Sequence, residues 1–219
     1  MKYSLIFDMD GVLVDSEPVI LEASIRGLSE YGVKASPEDF LPFVGAGEDR
    51  FIGGVAEKHG LTYKPEMKKR VYEIYLEIVD SKLKIYEGVT QMLYKLKDKG
   101  YKLAIASSAD KVKVDANLKV AGISKDIFSA IVYGEIVVNK KPNPEIFLTA
   151  AKLMEVNPSD CIVVEDALNG IKAAKSAGMK CIAVTSSFPE EVLRRENPDF
   201  IVSNTVDIYT ILKKIDNIY

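Results

Sequence analysis

Residues 3–11 read YSLIFDMDG. The run Tyr3 to Phe7 is apolar apart from Ser4 and stops at Asp8, as a short buried strand does. Asp10-Gly11 then signals a turn. A strand apolar on both faces belongs in a parallel sheet covered on both sides, so its neighbours decide the fold. They do not follow at once. From Ser16 to about Leu83 the apolar residues recur at helical spacing: Val19, Ile20, Ala23, Gly27, Leu28 and Tyr31, closed by Gly32. Further helices are expected from near Pro37, from about Glu48 to Lys58, and from Pro65 to about Ser81. No convincing strand interrupts them.

After Gly88 the texture changes to alternation. Helices are expected over 89–99, 109–121, 144–154, 167–177 and 206–215. Strands are expected over 102–106, 130–133, 161–164, 180–184 and, more weakly, 200–202. Continuous apolar strands alternating with helices give an α/β fold with a Rossmann-like parallel sheet. The first strand belongs to that sheet. The chain therefore divides into a core of residues 1–15 plus 83–219 and an inserted α-helical cap domain of residues 16–82. Gly170 and Ala174 share a helix face and would allow close packing on the sheet.

The composition narrows the function classes. The chain has 219 residues, a net charge of −3, 47% hydrophobic residues and 28% charged residues, as expected of a globular protein of one or two domains. No apolar run approaches the roughly 18 residues of a membrane helix. Leu5-Ile6-Phe7 meets Asp8 too soon for a secretory signal. Slight acidity offers no general attraction to nucleic acid or to anionic lipid. Cys161 and Cys181 read as reduced core residues. A cytoplasmic protein without nucleic-acid or membrane partners is the expectation, and a monomer the default.

In an open parallel sheet, ligands bind beyond the carboxyl ends of the strands. There the sequence places Asp8 and Asp10, then Ser107, Ser108 and Ala109, then Lys140 and Lys141, then Glu165 and Asp166. Four carboxylates in one crevice repel unless a hard cation joins them, and oxygen ligands suit Mg2+. With His59 the one histidine, and both cysteines at the wrong strand ends, a zinc site and a Ser-His-Asp triad are disfavoured. The remaining groups suit phosphoryl transfer. One carboxylate serves as nucleophile, a second as general acid and base, and a lysine and helix-start N–H groups neutralise the phosphoryl oxygens.

Four stretches carry a family resemblance. FDMDGVLVDS at 7–16, ASSA at 106–109, KPNPEIF at 141–147 and VVEDALNGIKAAKSAGM at 163–179 resemble, in order and spacing, the four motifs of the haloacid dehalogenase superfamily. The helical insert resembles the cap of its beta-phosphoglucomutase-like, phosphatase-rich subgroup. The resemblance implies that Asp8 is the nucleophile and a metal ligand. It implies that Asp10 is the general acid and base and touches the metal through its carbonyl. Ser107, with the N–H groups of Ser108 and Ala109, would bind the phosphoryl group. Lys141 would pair with nucleophile and phosphate, and Glu165 and Asp166 would complete an Mg2+ site. Superfamily members that cleave halides lack the second aspartate, so Asp10 points to phosphorus chemistry.

Two departures bear on the activity. Lys140 stands where the family usually has Gly, and Lys141, which precedes Pro142, is taken as the catalytic lysine. Ile20 stands where beta-phosphoglucomutases carry a His. The cap loop VGAGEDR at 44–50 occupies the place of the family's specificity loop, making Gly47, Glu48 and Arg50 candidate substrate contacts. The expectation is an Mg2+-dependent phosphomonoester hydrolase acting on a small phosphorylated metabolite, a sugar phosphate first. A phosphosugar mutase and a non-catalytic phosphosugar-binding module are the rivals.

Overall fold

The computed structural model describes residues 2–216. After β1 (Ser4–Phe7) and a two-residue β2 (Val14–Asp15) come four helices, α1 (Glu17–Ser29), α2 (Pro37–Phe40), α3 (Glu48–Lys58) and α4 (Pro65–Lys82). β3 (Lys84–Ile85) returns antiparallel to β2, with Val14 opposite Ile85, so the chain enters and leaves the helical segment through one short ribbon. Alternation follows: α5 (Val89–Asp98), β4 (Leu103–Ala106), α6 (Lys111–Val120), β5 (Ala130–Val132), α7 (Glu145–Leu153), β6 (Cys161–Glu165) and α8 (Leu168–Ser176). The last elements are β7 (Lys180–Val184), α9 (Glu190–Leu193), β8 (Phe200–Val202) and α10 (Ile208–Asp216). The ribbon and α9 are not anticipated by the sequence pattern.

β1, β4, β5, β6, β7 and β8 form one parallel sheet in the order β5-β4-β1-β6-β7-β8. The strand period of two sorts the apolar residues onto its faces. Leu5, Phe7, Leu103, Ile105, Ile162 and Val164 pack with α5, α6 and α10. Ile6, Ala104, Ala106, Cys161 and Val163 pack with α7 and α8. The expected α/β sheet covered on both faces is what the chain forms.

Helices α1, α3 and α4 bury Val19, Ile20, Ile52, Val71 and Tyr75 in a third apolar cluster, separate from the two on the sheet. That cluster settles on α6: the Tyr75 hydroxyl donates to Asn117 Oδ1 at 2.5 Å. Lys68 adds an ion pair of 2.8 Å to Asp110, just ahead of α6, and another of 2.8 Å to Asp49 of α3.

From β1 the order runs to β4 on one side and to β6 on the other. The chain visits the β4 side first and the β6 side later, so the topological switch falls at the carboxyl end of β1. The crevice that such a switch opens is where α/β sheets bind ligands.

Candidate active site

Asp8 is the first residue beyond β1, fixed there by its N–H donating to the Val164 carbonyl at 3.0 Å. Its side chain is buried. Lys141, also buried, reaches across from the loop before α7 and places Nζ 2.6 Å from Asp8 Oδ1 and 2.7 Å from Glu165 Oε1. The Phe147 ring lies 4.9 Å from the same ammonium. Lys140 turns the other way and donates to the carbonyls of Gly134 and Val137. Of the two adjacent lysines, Lys141 is the one in the crevice.

Glu165 ends β6 with its other oxygen, Oε2, accepting from the N–H groups of Asp166 at 2.8 Å and Ala167 at 2.7 Å. Both its oxygens therefore accept hydrogen bonds. Its carboxylate holds Lys141 and the start of α8 in place, and Oε1 keeps a further lone pair that a metal can use. Asp166 is the open carboxylate of the pair, with the Ser187 hydroxyl donating to its Oδ2. It packs on Gly11, whose φ of +75° makes the turn after Asp10; a Cβ there would lie 1.9 Å from Asp166 Oδ2.

Asp10 is held by two partners. The Ser16 hydroxyl donates to Oδ1, and Lys113 Nζ lies 3.0 Å from the same oxygen. Lys113 comes from α6 and is buried. Its ammonium also lies 3.1 Å from Glu48 Oε1, at the start of the cap helix α3. Glu48 is buried as well. One lysine of the core thus ties the second aspartate to the cap.

The remaining expected residues separate. Ser108 and Ala109 line the cavity between cap and core. Ser107 is fully buried, and its Oγ accepts from the Ala109 N–H at 3.1 Å. Gly47, at φ +84°, brings the cap loop over Ser108. Arg50 is not brought into the cavity. It pairs with Glu57 at 3.1 Å and lies over the Phe43 ring, because α3 carries it on the outer face. The cavity, about 70 Å3, is lined by Asp8, Asp10, Glu17, Glu48, Lys113, Lys141, Glu165 and Asp166, with Ile20, Phe43 and Phe51 on the cap side.

Burial sets the electrostatics. Asp8 is pushed up to about 7, first by burial and then by Glu165 and Asp10, with Lys141 opposing. Asp166 is pushed well above the carboxylate range by burial and by the charges of Glu165 and Asp8. Burial disfavours charged Lys113 and Lys141, but the paired carboxylates outweigh it and raise both. Glu17 is pushed up to about 7 by burial, Lys113 opposing and Asp10, Glu48 and Asp15 adding.

Asp8 and Asp166 are thus carboxylates short of positive charge, and the donors around them are hard oxygens. That fits Mg2+, which takes one or two carboxylates and completes its shell with water and substrate oxygens. No group of three or more His, Cys, Asp or Glu side chains is gathered as a ready metal cage among the described residues. The Lys141 ammonium stands between Asp8 and Glu165.

Lys113 and Glu17 are the residues that sequence reasoning misses. Both lie on helices amid other charged side chains. The one signal for Lys113 is helical phase, since it shares a face with Asn117 four residues on.

A family model for haloacid dehalogenase-like hydrolases matches residues 5–184. The chloroplastic protein SUPPRESSOR OF QUENCHING 1 of Arabidopsis thaliana is 44% identical over 203 residues. The match covers 90% of this chain, which spans only 19% of that protein's length. A phosphorylated carbohydrates phosphatase of Thermotoga maritima is 37% identical over 189 residues, covering 82% of this chain and 83% of its own. Among solved structures, a beta-phosphoglucomutase from Clostridium difficile superposes with a TM-score of 0.84. It is 25% identical, and the match covers 99% of this chain and 98% of that one.

Proposed function

Because the chain belongs to the haloacid dehalogenase-like hydrolase family, we propose that it hydrolyses the phosphate monoester of a small metabolite, a sugar phosphate first, with Asp8 as nucleophile. The observation that carries this reading is Asp8 at the switch point with Lys141 Nζ at 2.6 Å and Asp10 two residues away, facing one cavity.

Asp8 attacks phosphorus, forming a carboxylate O–P bond as the P–O bond to the leaving group breaks. Asp10, held by Ser16 and Lys113, donates a proton to the departing oxygen. Water then attacks the aspartyl phosphate, gives its proton to Asp10, and releases phosphate and free Asp8. Lys141 balances charge on the phosphoryl oxygens, and the Ser107–Ala109 turn approaches them from β4. Mg2+ would be held by Asp8, Glu165, Asp166 and the Asp10 carbonyl, and would supply further charge neutralisation when bound. The cap loop at Gly47 and Glu48 closes over the reacting group and limits access of bulk water.

Transfer back to a sugar is the second reading, favoured by the likeness to a beta-phosphoglucomutase. Ile20 opposes it by presenting an apolar side chain to the cavity. The test is phosphate release by the purified chain with Mg2+, from an aryl phosphate and from a panel of sugar phosphates. Release is expected, and Asp8→Asn is expected to lower it by about 10⁴-fold or more. Absence of release, or a variant retaining a tenth of the rate, would overturn the reading.

A further inference from the structure

The cavity that receives the leaving group is crowded with negative charge. Six carboxyl groups and two lysines line it, so acidic side chains outnumber basic ones by four, and a bound divalent cation would favour the ionised forms of Asp8 and Asp166. Lys141 serves the phosphoryl group and Lys113 is held by its carboxylates, so neither is free for a second anion. Lys141 is shared by Asp8 and Glu165, and Lys113 by Asp10 and Glu48. The dianionic phosphoryl group and one divalent cation cancel in this count. The excess therefore falls on whatever follows the ester oxygen.

Among the six, Glu17 stands apart. It stands at the first position of α1 and lines the cavity. Its side chain makes no ion pair or hydrogen bond among the described residues, although it lies within the field of Lys113, Asp10 and Glu48. In its ionised form, a half-buried carboxylate without a partner repels a second anion, and it accepts well from hydroxyl groups. Ile20, Phe43 and Phe51 beside it offer apolar surface to C–H groups. The adjoining cleft, about 270 Å3, does not relieve the imbalance. Its Arg50 is committed to Glu57 and its Lys140 to backbone carbonyls.

Building on the hydrolase reading above, we propose that this site selects monoesters of uncharged polyols and rejects leaving groups that carry a second phosphate or a carboxylate, with Glu17 as the specificity-determining residue. Glu17 binds leaving-group hydroxyls in the preferred substrates and repels the second anion in the others. A bisphosphorylated sugar therefore fits poorly, and so does pyrophosphate.

The test compares kcat/KM with Mg2+ for hexitol and hexose monophosphates against glucose 1,6-bisphosphate, phosphoglycolate and pyrophosphate, with an aryl phosphate as a general reporter. The neutral leaving groups are expected to lead by about tenfold or more, since like-charge juxtaposition disfavours the others. Glu17→Gln is expected to narrow that ratio, and Glu17→Lys to narrow it further, by about fivefold or more. Turnover with the anionic leaving groups preferred, or a ratio unmoved by both variants, overturns the inference and leaves the hydrolase reading standing. No turnover on any ester, the aryl phosphate included, overturns both.

Discussion

Lys113 joins three parts of the molecule through one ammonium: α6, which carries it, the turn after β1 through Asp10, and the cap through Glu48. Removing one partner from a buried pair leaves the other charge uncompensated, at a cost of roughly 3–5 kcal/mol. Lys113→Met is therefore expected to lower stability by that order in urea unfolding and to lower kcat by about 100-fold through a misplaced Asp10. Glu48→Gln in the same chain is expected to recover much of the stability and little of the rate. Full recovery of kcat would show that Lys113 acts only as a strut for the cap. Asp8, Asp10, Lys141 and Asp166 are legible in the sequence because each follows an apolar strand or precedes a helix, where polar residues stand out. Lys113 is not, because KVKVD in α6 sets two lysines two residues apart. Lys111 is exposed and Lys113 buried, because α6 turns Lys113 toward Asp10 of the core and Glu48 of the cap.

At the level of the elements, α8 approaches β6 closely enough that a Cβ on Gly170 would fall 1.7 Å from Glu165 Oε1. The glycine reads in the sequence as a packing residue. The structure gives that packing a consequence, because the side chain it admits is the one that holds Lys141 against Asp8. Gly170→Ala is expected to displace Glu165, cost roughly 1–3 kcal/mol by overpacking, and reduce kcat by about tenfold through Lys141. Lys172→Ala, two residues on and paired with Glu196 at the surface, is expected to change stability by less than about 1 kcal/mol. Equal effects of the two on urea unfolding and rate would sink the assignment. Helices and sheet strands are readable because periods of 3.6 and 2 persist over several residues. The β2–β3 ribbon is not, since two residues per strand display no period. Helix α10 begins at Ile208 rather than 206 because Asn204 and Asp207 cap a preceding 3-10 turn.

Across the whole molecule, the insertion of the helical segment between β1 and β4 lets the site be assembled from both sides. The discontinuity is visible in sequence as a change of period, but the closure is not. Which cap residues face inward depends on how α4 seats on α6, and that seating turns Glu48 inward and Arg50 outward. Charge is the global consequence. Asp8 and Asp166 share the crevice with more negative than positive groups, so a divalent cation that binds only the folded state must stabilise it, by about 2.7 kcal/mol at 100 times its Kd. Mg2+ is therefore expected to raise the melting temperature of chelator-treated protein and to restore its turnover. Asp166→Asn keeps an oxygen that accepts from Ser187 and removes one negative charge. The metal-free variant is expected to melt above the metal-free parent, to gain little from Mg2+, and to lose turnover. If instead it melts lower and responds to Mg2+ as the parent does, Asp166 is neither a metal ligand nor a source of the repulsion, and the cation sits elsewhere.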